Sequence, residues 1–454
     1  MASNRPTPSH RPKPRDPPAN LPAPRQGPRP LPLHLAAATL AWSSSLAALP
    51  LLKSGSLAWR AELKPAAQNL AGELAKVKPE AFAAAVVAEA EQRLAAFLDG
   101  LSAYRRHSYR RSLPAAPVAW QEGTTRLLDY TTGGTGPAVL VVPSLINRAY
   151  ILDLQEQRSF MRFLAAEGFR PYLMDWAAPG ETEREFSLDD YIAGRLSRAL
   201  DKVSATTGSK PLAIGYCMGG LLALGLAQHR RHDLAGMALL ATPWDFHAER
   251  ADQAILIGAL APQFEPLLLL LGELPVDVIQ ALFAALDPSL ALRKFLGFAG
   301  LDPNSDRARQ FVVLEDWLND GVALAAAVAR ETLGEWYGRN AAARGGWRVA
   351  GRPVTPEDLH LPSIAVIPDQ DRIVPPASAL ALARAIPACQ ILRTATGHIG
   401  MMAGAKSERE VWQPLAAWLR EQGLSCTAAR RPVLSKKPLS GRRLSGKKIN
   451  RRKS

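Results

Sequence analysis

The stretch GYCMGG, residues 215–220, places a cysteine between glycines where an apolar run ends and a helical pattern begins. The run before it, PLAI, is typical of a buried strand, and LLALGLA after it is typical of a helix. A nucleophile on such a turn needs small neighbours, because its backbone is strained and larger side chains would collide. Gly215, Gly219 and Gly220 supply that room, which makes Cys217 a candidate nucleophile. The alternative is a structural cysteine on a tight turn.

Short apolar runs alternate with helical patterns along most of the chain. They are AVLVVPS (138–144), FRPYLMDW (169–176), PLAIGYC (211–217), LAGMALLATP (234–243), PSIAVIPD (362–369) and CQILRTATGH (389–398). Strands that are continuously apolar, and that are separated by helices, indicate a parallel sheet buried on both faces. The sequence therefore predicts an α/β fold.

Composition divides the chain into four parts. Residues 1–33 contain eleven prolines and almost no bulky apolar side chain, so we predict disorder there, and the long proline tract argues against a secretory signal. The predicted parts are a disordered Pro-rich basic segment (1–33), a helical N-terminal region (34–120), a catalytic α/β domain (121–428) with a helical cap at about 244–344, and a disordered basic tail (429–454).

The net charge of +14 lies at the two ends of the chain. Residues 1–33 carry six Lys/Arg and one Asp, and residues 430–454 carry eleven Lys/Arg and no acid, so the folded part is nearly neutral. The tail is either a solvated segment or a contact for nucleic acid or an anionic surface. The three cysteines form no CxxC pair, which argues against a disulfide framework or a zinc site and fits a reducing cytosol.

Two strongly apolar segments raise the question of a membrane. Residues 31–52 are uncharged, but their serines and Pro50 favour a helix packed on the body or on an apolar surface over a membrane span. The run PLLLLL, residues 266–271, lies between Glu265 and Glu273 and is too short to span a bilayer. We interpret it as cap core or lid.

Two later motifs supply the groups that a nucleophile requires. Asp369 and Asp371 lie in PDQDRIVPP just past one predicted strand, and His398 lies in ATGHIGMM just past the next. The order nucleophile, acid, histidine is that of α/β-hydrolases. We predict His398 as the base. The residues alone favour Asp371 as the acid but leave Asp369 open.

The candidate oxyanion hole completes the predicted site. One donor is the Met218 N–H, and the other is the N–H of Leu145 or Ile146 in the loop PSLIN. A cysteine that attacks a thioester forms another thioester, so the acyl group stays activated for transfer to an alcohol. The cap would then serve to keep water out.

Several motifs together carry a family resemblance. They are VVPSLINRAYILDL (141–154), YLMDW (172–176), GYCMGG (215–220), LATPWDF (240–246), LEDWLNDG (314–321), DRIVPP (371–376) and GHIGMM (397–402). In this order, over residues 138–420, the chain resembles the polyhydroxyalkanoate synthases. LEDWLNDG and the GHIGM ending resemble the short two-component enzymes, whereas GSLAWRAELKPAAQNLAG (55–72) is similar to the N-terminal region of the long ones.

The resemblance implies an α/β-hydrolase fold with a mostly parallel central sheet, a helical cap insertion and a helical N-terminal region. It also implies that Cys217 attacks an (R)-3-hydroxyacyl-CoA and that His398 takes the thiol proton. Asp371, in the D-x-I-V-P position, would help to activate the 3-hydroxyl group. Many members have His after that aspartate, where this chain has Arg372. Coenzyme A is part of the substrate and a product, so neither a separate cofactor nor a metal is implied.

The implied partners are hydroxyacyl-CoA and a growing polyester chain or granule surface, with a homodimer and a second synthase subunit as further candidates. The implied location is the cytoplasm at polyhydroxyalkanoate granules. Two other functions remain open at this point. The same site with water as acceptor would make a thioesterase or polyester hydrolase, and a granule-associated scaffold would bind nucleic acid through residues 430–454 without needing Cys217.

Overall fold

A computed structural model describes residues 25–428, which are built around an eight-stranded sheet. Its strands are β1 (Val118–Glu122), β2 (Thr125–Asp129), β3 (Ala138–Val142), β4 (Arg170–Asp175), β5 (Leu212–Tyr216), β6 (Gly236–Leu240), β7 (Ser363–Pro368) and β8 (Gln390–Thr394). The strand order is β1-β2-β4-β3-β5-β6-β7-β8. The β1/β2 and β2/β4 pairs are antiparallel, and the other five pairs are parallel.

The described residues form sixteen α-helices. They are α1 (Leu31–Ser54), α2 (Lys64–Ala75), α3 (Pro79–Arg106), α4 (Phe160–Ala166), α5 (Glu181–Arg184), α6 (Ser197–Thr207), α7 (Met218–Arg230), α8 (Ala251–Leu260), α9 (Glu265–Leu271), α10 (Val276–Ala284), α11 (Leu290–Ala299), α12 (Asp306–Asn319), α13 (Ala326–Arg330), α14 (Pro376–Ala385), α15 (Gly400–Ala403) and α16 (Gln413–Ala428). Three π-helical segments extend this set: Asp190–Leu196, Glu331–Gly338 and Glu408–Trp412.

The central strands are buried along their whole length, as continuously apolar sequences predict. In β3, Leu140 and Val142 belong to the hydrophobic core on one face of the sheet, and Val139 and Val141 belong to the core on the other face. All six strands predicted from the sequence are present. The predicted α/β-hydrolase fold with a mostly parallel sheet is therefore confirmed.

The β1–β2 hairpin was not predicted. Its strand β2 pairs with β4 and so extends the sheet at one edge. Many side chains of the hairpin are exposed or half-buried, and its sequences, VAWQE and TRLLD, accordingly mix polar and apolar residues. A tight turn at Gly123, with φ of 57°, joins the two strands. Edge strands of this kind lack the apolar run that identifies a central strand.

Helices α8 to α13 lie in the chain between β6 and β7, within the region predicted as the cap. The N-terminal helices pack on this cap. Phe97 and Tyr104 of α3 contact Phe295 of α11 edge to face, with ring centroids 6.0 and 5.7 Å apart. The N-terminal region and the cap therefore share one hydrophobic core.

Residues 25–33 differ from the prediction of disorder. Arg25 forms an ion pair of 2.7 Å with Asp316, Arg29 forms one of 2.7 Å with Asp277, and α1 begins at Leu31. The prediction of disorder was based on the lack of apolar residues, and it could not include ion pairs between these arginines and carboxylates of the cap. Residues 1–24 and 429–454, the rest of the predicted disordered ends, lie outside the described residues.

Two helical segments of the described chain are long and apolar enough to cross a membrane by length and composition alone: Leu31–Ser54 and Ala251–Leu271. The second contains the leucine run that was judged too short from its sequence. In the structure this run is continuous with α8 through a 3-10 turn, Ala261–Phe264, which makes the helical segment longer than the run itself.

Candidate active site

Cys217 lies on the turn between β5 and α7, at φ 56° and ψ −128°. Residues with a Cβ atom rarely adopt a positive φ, so this backbone is strained. Hydrogen bonds hold the turn on both sides, because Cys217 N–H donates to Leu240 O at 2.9 Å and Gly220 N–H donates to Cys217 O at 2.9 Å. The strained turn places the thiol at the carboxyl edge of the sheet.

Each glycine of the turn is required by its surroundings. A Cβ on Gly215 would overlap the backbone of Gly220, and one on Gly219 would overlap the backbone at the end of β3. A Cβ on Gly220 would overlap the side chain of Thr242. The glycines thus let strand, turn and helix approach more closely than any other residue would permit.

His398 and Asp371 form a buried pair. His398 Nδ1 and Asp371 Oδ2 are 2.7 Å apart, and the side chain of Asp371 is fully buried. The other carboxylate oxygen, Oδ1, accepts the N–H groups of Ile373 and Val374 at 2.8 and 2.9 Å. Asp369, the alternative acid, instead forms a half-exposed ion pair with Arg393 at 2.6 Å.

The charges at the site act on the imidazole of His398. Burial by itself lowers the pKa of His398, but the negative charges of Cys217 and Asp371, together with hydrogen bonds to both, raise that pKa to about 10. Because Nδ1 is bound to Asp371, Nε2 is the nitrogen left for Cys217. The arrangement therefore favours a protonated His398 beside the sulfur.

Removing the sulfur is expected to lower the pKa of His398, because burial would then be opposed by Asp371 alone. We predict that the His398 ring of Cys217→Ala titrates at a lower pH than that of the unmodified protein. NMR titration of ring-labelled histidine measures this shift. Cys389→Ala is the matched control and should leave the curve in place, since Cys389 is not among the groups that act on His398. Identical curves for all three proteins would contradict the coupling.

Tyr216 supports His398 and was not predicted from the sequence. Its ring stacks on the imidazole with centroids 5.3 Å apart, and its hydroxyl donates to the His398 backbone carbonyl at 3.0 Å. Burial, with the charges of Cys217 and Asp371, raises the pKa of Tyr216 well above its usual value, so the hydroxyl is a neutral donor. A tyrosine at the end of an apolar strand carries no sequence signal for this role.

Tyr216→Phe is expected to keep the stacking but leave the buried carbonyl of His398 without its donor. The predicted cost is about 1–2 kcal/mol in the free energy of unfolding. Urea denaturation of both proteins measures it. An unchanged midpoint and slope would mean that this hydrogen bond does not stabilise the loop of His398.

The two candidates for the second oxyanion donor differ in their hydrogen bonds. Ile146 N–H donates to Ser144 Oγ at 3.2 Å, whereas Leu145 N–H has no partner among residues 25–428. Trp176 Nε1–H fixes this loop by donating to Pro143 O at 3.0 Å. Met218 is the first residue of α7, so its N–H has no acceptor within the helix. Leu145 has the free N–H, but Ile146 and not Leu145 lines the cavity that contains Cys217, so both remain candidates beside Met218.

Cys217 and His398 open into a cavity of about 330 Å³. Most of its wall is apolar. The wall is formed by the loop at residues 143–147, by cap helices and by the loops that carry Asp371 and His398. These lining residues include Ile146, Ile151, Phe283, Leu286, Leu290, Leu318, Ile373 and Ile399. Pro28 and Arg29, just before α1, and His34, in the first turn of α1, line the same cavity, so this part of the chain belongs to the site. Its proline-rich sequence gave no sign of this position.

The cations around this cavity are paired with carboxylates. Arg372, which stands where many synthases have His, lies 3.4 Å from Asp287 in the cap. Arg29, Arg148 and Lys294 likewise have carboxylate partners, in Asp277, Asp320 and Glu315. Each of these cations therefore lies beside a carboxylate, and Asp287 is shared between Arg372 and Arg293. Within residues 25–428 no group of three or more His, Cys, Asp or Glu side chains has the arrangement of a metal site.

Comparisons with known proteins agree with this fold. Residues 137–405 match the family described as having the alpha/beta hydrolase fold. Among curated proteins, the chain is similar to three that are named poly(3-hydroxyalkanoate) polymerase subunit PhaC. The one from Haloferax mediterranei is 28% identical over 67% of this chain, the one from Allochromatium vinosum 29% over 63%, and the one from Synechocystis sp. 29% over 63%.

The matched parts cover 63% of the Haloferax protein, 81% of the Allochromatium protein and 78% of the Synechocystis protein. The chain therefore spans less than two thirds of the first of these relatives. The resemblance drawn from the motifs is confirmed by these similarities, which cover 63–67% of the chain.

Proposed function

For this member of the α/β-hydrolase fold family, we propose an acyltransferase activity: the protein polymerises (R)-3-hydroxyacyl-CoA into polyhydroxyalkanoate and releases CoA. The observation that carries this proposal is a cysteine, in place of the usual serine, on the nucleophile turn beside a buried His398–Asp371 pair. The names of the curated relatives support polyester synthesis as the activity of the chain.

In the first step, the Cys217 thiolate attacks the thioester carbonyl carbon of the substrate. The N–H groups of Met218 and of Leu145 or Ile146 would stabilise the negative oxygen of the tetrahedral intermediate. The bond from carbon to the CoA sulfur then breaks, and CoA leaves with the proton that His398 took from the thiol. The products are an acyl thioester on Cys217 and free CoA.

In the second step, the 3-hydroxyl of another hydroxyacyl group attacks this thioester. His398 takes the hydroxyl proton and returns it to the Cys217 sulfur, and a new ester bond forms. The family resemblance implied that Asp371 activates the hydroxyl. The contacts favour a positioning role instead, because one oxygen of Asp371 binds His398 and the other binds two backbone N–H groups.

The surroundings of the thiol favour an alcohol over water as the acceptor. The cavity wall is largely apolar, and helices of the cap contribute to it. Because the exposed wall is mostly apolar, it offers ordered water few partners, which favours protection of a thioester from hydrolysis. The hydrolase remains the second candidate, since the same three residues serve both reactions.

The test is to mix the purified protein with 3-hydroxybutyryl-CoA, follow free CoA with a thiol reagent and identify the acyl product. Insoluble polyester is the expected product. Free 3-hydroxybutyrate in amounts equal to the released CoA would contradict the proposal and identify a hydrolase. No release of CoA, either alone or with a synthase partner subunit added, would contradict both enzyme functions.

The partners follow from the same proposal. Because the relatives are named polymerase subunits, we propose that a second subunit assembles with this chain and that it acts at the surface of a polyester granule in the cytoplasm. The basic tail lies outside the described residues. Binding of nucleic acid by residues 430–454 stays a prediction. If these residues bind nucleic acid, the affinity should fall steeply as the salt concentration is raised.

A further inference from the structure

Asn147 carries a side-chain acceptor that the fold leaves unused. Its Oδ1 atom is buried and has no hydrogen-bond partner among residues 25–428. Seven buried side-chain nitrogen and oxygen atoms lack a partner in that part of the chain, and this is the one whose residue lines the cavity of Cys217 and His398. A buried acceptor without a donor destabilises a folded protein, so at such a site it points to a ligand group that supplies the donor.

A second asparagine on the same wall, Asn319, shows the contrast. Its Oδ1 accepts the backbone N–H of Arg29 at 3.1 Å, and its Nδ2 donates to Glu315 O at 2.7 Å. Both asparagines line the cavity. The amide of Asn319 is therefore bound by the protein itself, whereas the carbonyl oxygen of Asn147 remains available to a ligand.

Backbone groups on both sides of Asn147 are bound to the cap region. Ile146 O accepts the Val322 N–H at 3.2 Å, and Arg148 O accepts the Trp317 Nε1–H at 2.8 Å. These bonds use main-chain carbonyls, so they do not depend on the side chain of Asn147. They hold its amide one or two residues from the N–H that would bind the thioester oxygen.

Gln280 places a donor near this acceptor. The point that a Cβ atom of Gly321 would occupy lies 3.6 Å from Asn147 Oδ1 and 3.3 Å from Gln280 Nε2. The two atoms are therefore at most 6.9 Å apart, which is the sum of these distances. Gln280 also lines the cavity, and its Nε2 uses one hydrogen to bind Leu318 O at 3.2 Å, which leaves the second hydrogen for a ligand.

From this spacing we infer that Asn147 and Gln280 bind the 3-hydroxyl group of the substrate, which donates to Asn147 Oδ1 and accepts from Gln280 Nε2. The inference rests on the proposed function. A hydroxyl group offers a donor and an acceptor at one atom, so it bridges partners up to about 6 Å apart. The amides of the CoA arm also offer both, but in opposite directions, and would require partners roughly 8 Å apart. The hydroxyl group fits the observed limit of 6.9 Å and the amides do not.

Such a subsite selects hydroxyacyl groups over plain acyl groups. An acyl-CoA without the hydroxyl would leave Asn147 Oδ1 buried without a donor, and sites built to bind a hydroxyl group reject its analogues for this reason. The selection matters for polymerisation. A plain acyl group on Cys217 has no hydroxyl for the next transfer, so it would end the chain.

The test measures equilibrium binding by calorimetry to the full chain carrying Cys217→Ala, so that neither ligand is consumed. The ligands are (R)-3-hydroxybutyryl-CoA and butyryl-CoA, which differ only in the hydroxyl group. We expect the hydroxy ligand to bind about tenfold more tightly or better. Adding Asn147→Leu should weaken the hydroxy ligand alone and bring the two affinities within about threefold of each other.

Asn319→Leu is the matched control, because it makes the same exchange on the same wall. It should keep the preference for the hydroxy ligand, since the amide of Asn319 binds the protein. Gln280→Met tests the donor separately and should lower the preference by about threefold or more. It also keeps the inference testable if Asn147→Leu does not fold, which thermal unfolding of each variant shows.

Equal affinities for the two ligands in the Cys217→Ala protein would overturn the inference. So would a preference that survives Asn147→Leu, or one that is lost equally in Asn319→Leu. Failure of the proposed function is a separate result, because polymer production is measured on the protein that retains Cys217. A protein that prefers the hydroxy ligand but makes no polymer would contradict the synthase and leave the subsite standing, and failure of both ligands to bind would overturn the subsite.

Discussion

Cys217→Ala is expected to reduce CoA release from 3-hydroxybutyryl-CoA by a factor on the order of 10³ or more, because no other described group occupies the nucleophile turn. The cavity, the oxyanion donors and the His398–Asp371 pair all remain in this variant. The variant can still bind the substrate, but it lacks the sulfur to which the acyl group would be transferred. Steady-state release of CoA, followed with a thiol reagent after correction for protein thiols, measures the loss.

The matched control is Cys389→Ala. Cys389 is also a free, half-buried cysteine, and burial raises the pKa of its thiol to about 11, so it is a poor nucleophile at neutral pH. Its removal should change the rate by less than twofold. A Cys217→Ala protein that unfolds at the normal temperature and still releases CoA at the normal rate would show that the nucleophile lies elsewhere.

Asp371→Asn is expected to lower the rate by up to about 10⁴-fold, the loss seen when the acid of a serine triad is replaced by its amide. The carboxylate accepts a hydrogen bond from the Nδ1–H of His398, and two further hydrogen bonds, from the backbone N–H groups of Ile373 and Val374, fix its orientation. An amide at this position would favour the wrong tautomer of His398. Single-turnover kinetics measure the effect on the acylation step directly.

Asp369→Asn separates this function from a general effect of charge on the loop. Asp369 lies two residues earlier and pairs with Arg393 at a half-exposed position. Exposed ion pairs of this kind contribute little to stability, and this one lies outside the cavity. The control should retain at least half of the rate. Equal losses in the two variants would contradict the assignment of Asp371.

The sequence was informative where one local pattern determines one local structure. Five of the six apolar runs identified buried strands, because a strand covered on both faces can carry hardly any polar residue. The sixth forms β8, a parallel strand at the edge of the sheet whose side chains are mostly exposed. The glycines around Cys217 identified the turn, because the close approach of β5, α7 and β3 excludes any Cβ there. Candidate residues at three strand ends could then be grouped, since parallel strands bring their carboxyl ends to one edge of the sheet.

Contacts between distant parts of the chain could not be predicted in this way. The choice between Asp371 and Asp369 depends on which side chain faces His398, and the two share one short loop. Arg25 and Arg29 bind carboxylates of cap helices almost 250 residues or more away. No composition rule reveals that the segment they belong to lines the cavity of the thiol.

Tyr216 illustrates the same limit within the site. Its ring and hydroxyl hold His398, which lies 182 residues later in the chain. In the sequence it is only the last residue of an apolar strand. Supporting residues of this kind become visible once the loop that carries the histidine is placed against the strand.

The central claim is that Cys217 carries the acyl group as a thioester, and it is tested most directly by mass spectrometry of acid-quenched protein after mixing with 3-hydroxybutyryl-CoA. We expect the peptide that contains Cys217 to gain the mass of one or more hydroxybutyryl units, bound in a form that hydroxylamine removes. Cys217→Ala should gain none. Released CoA with the Cys217 peptide unmodified at every quench time, or acyl groups found on another residue, would contradict the account.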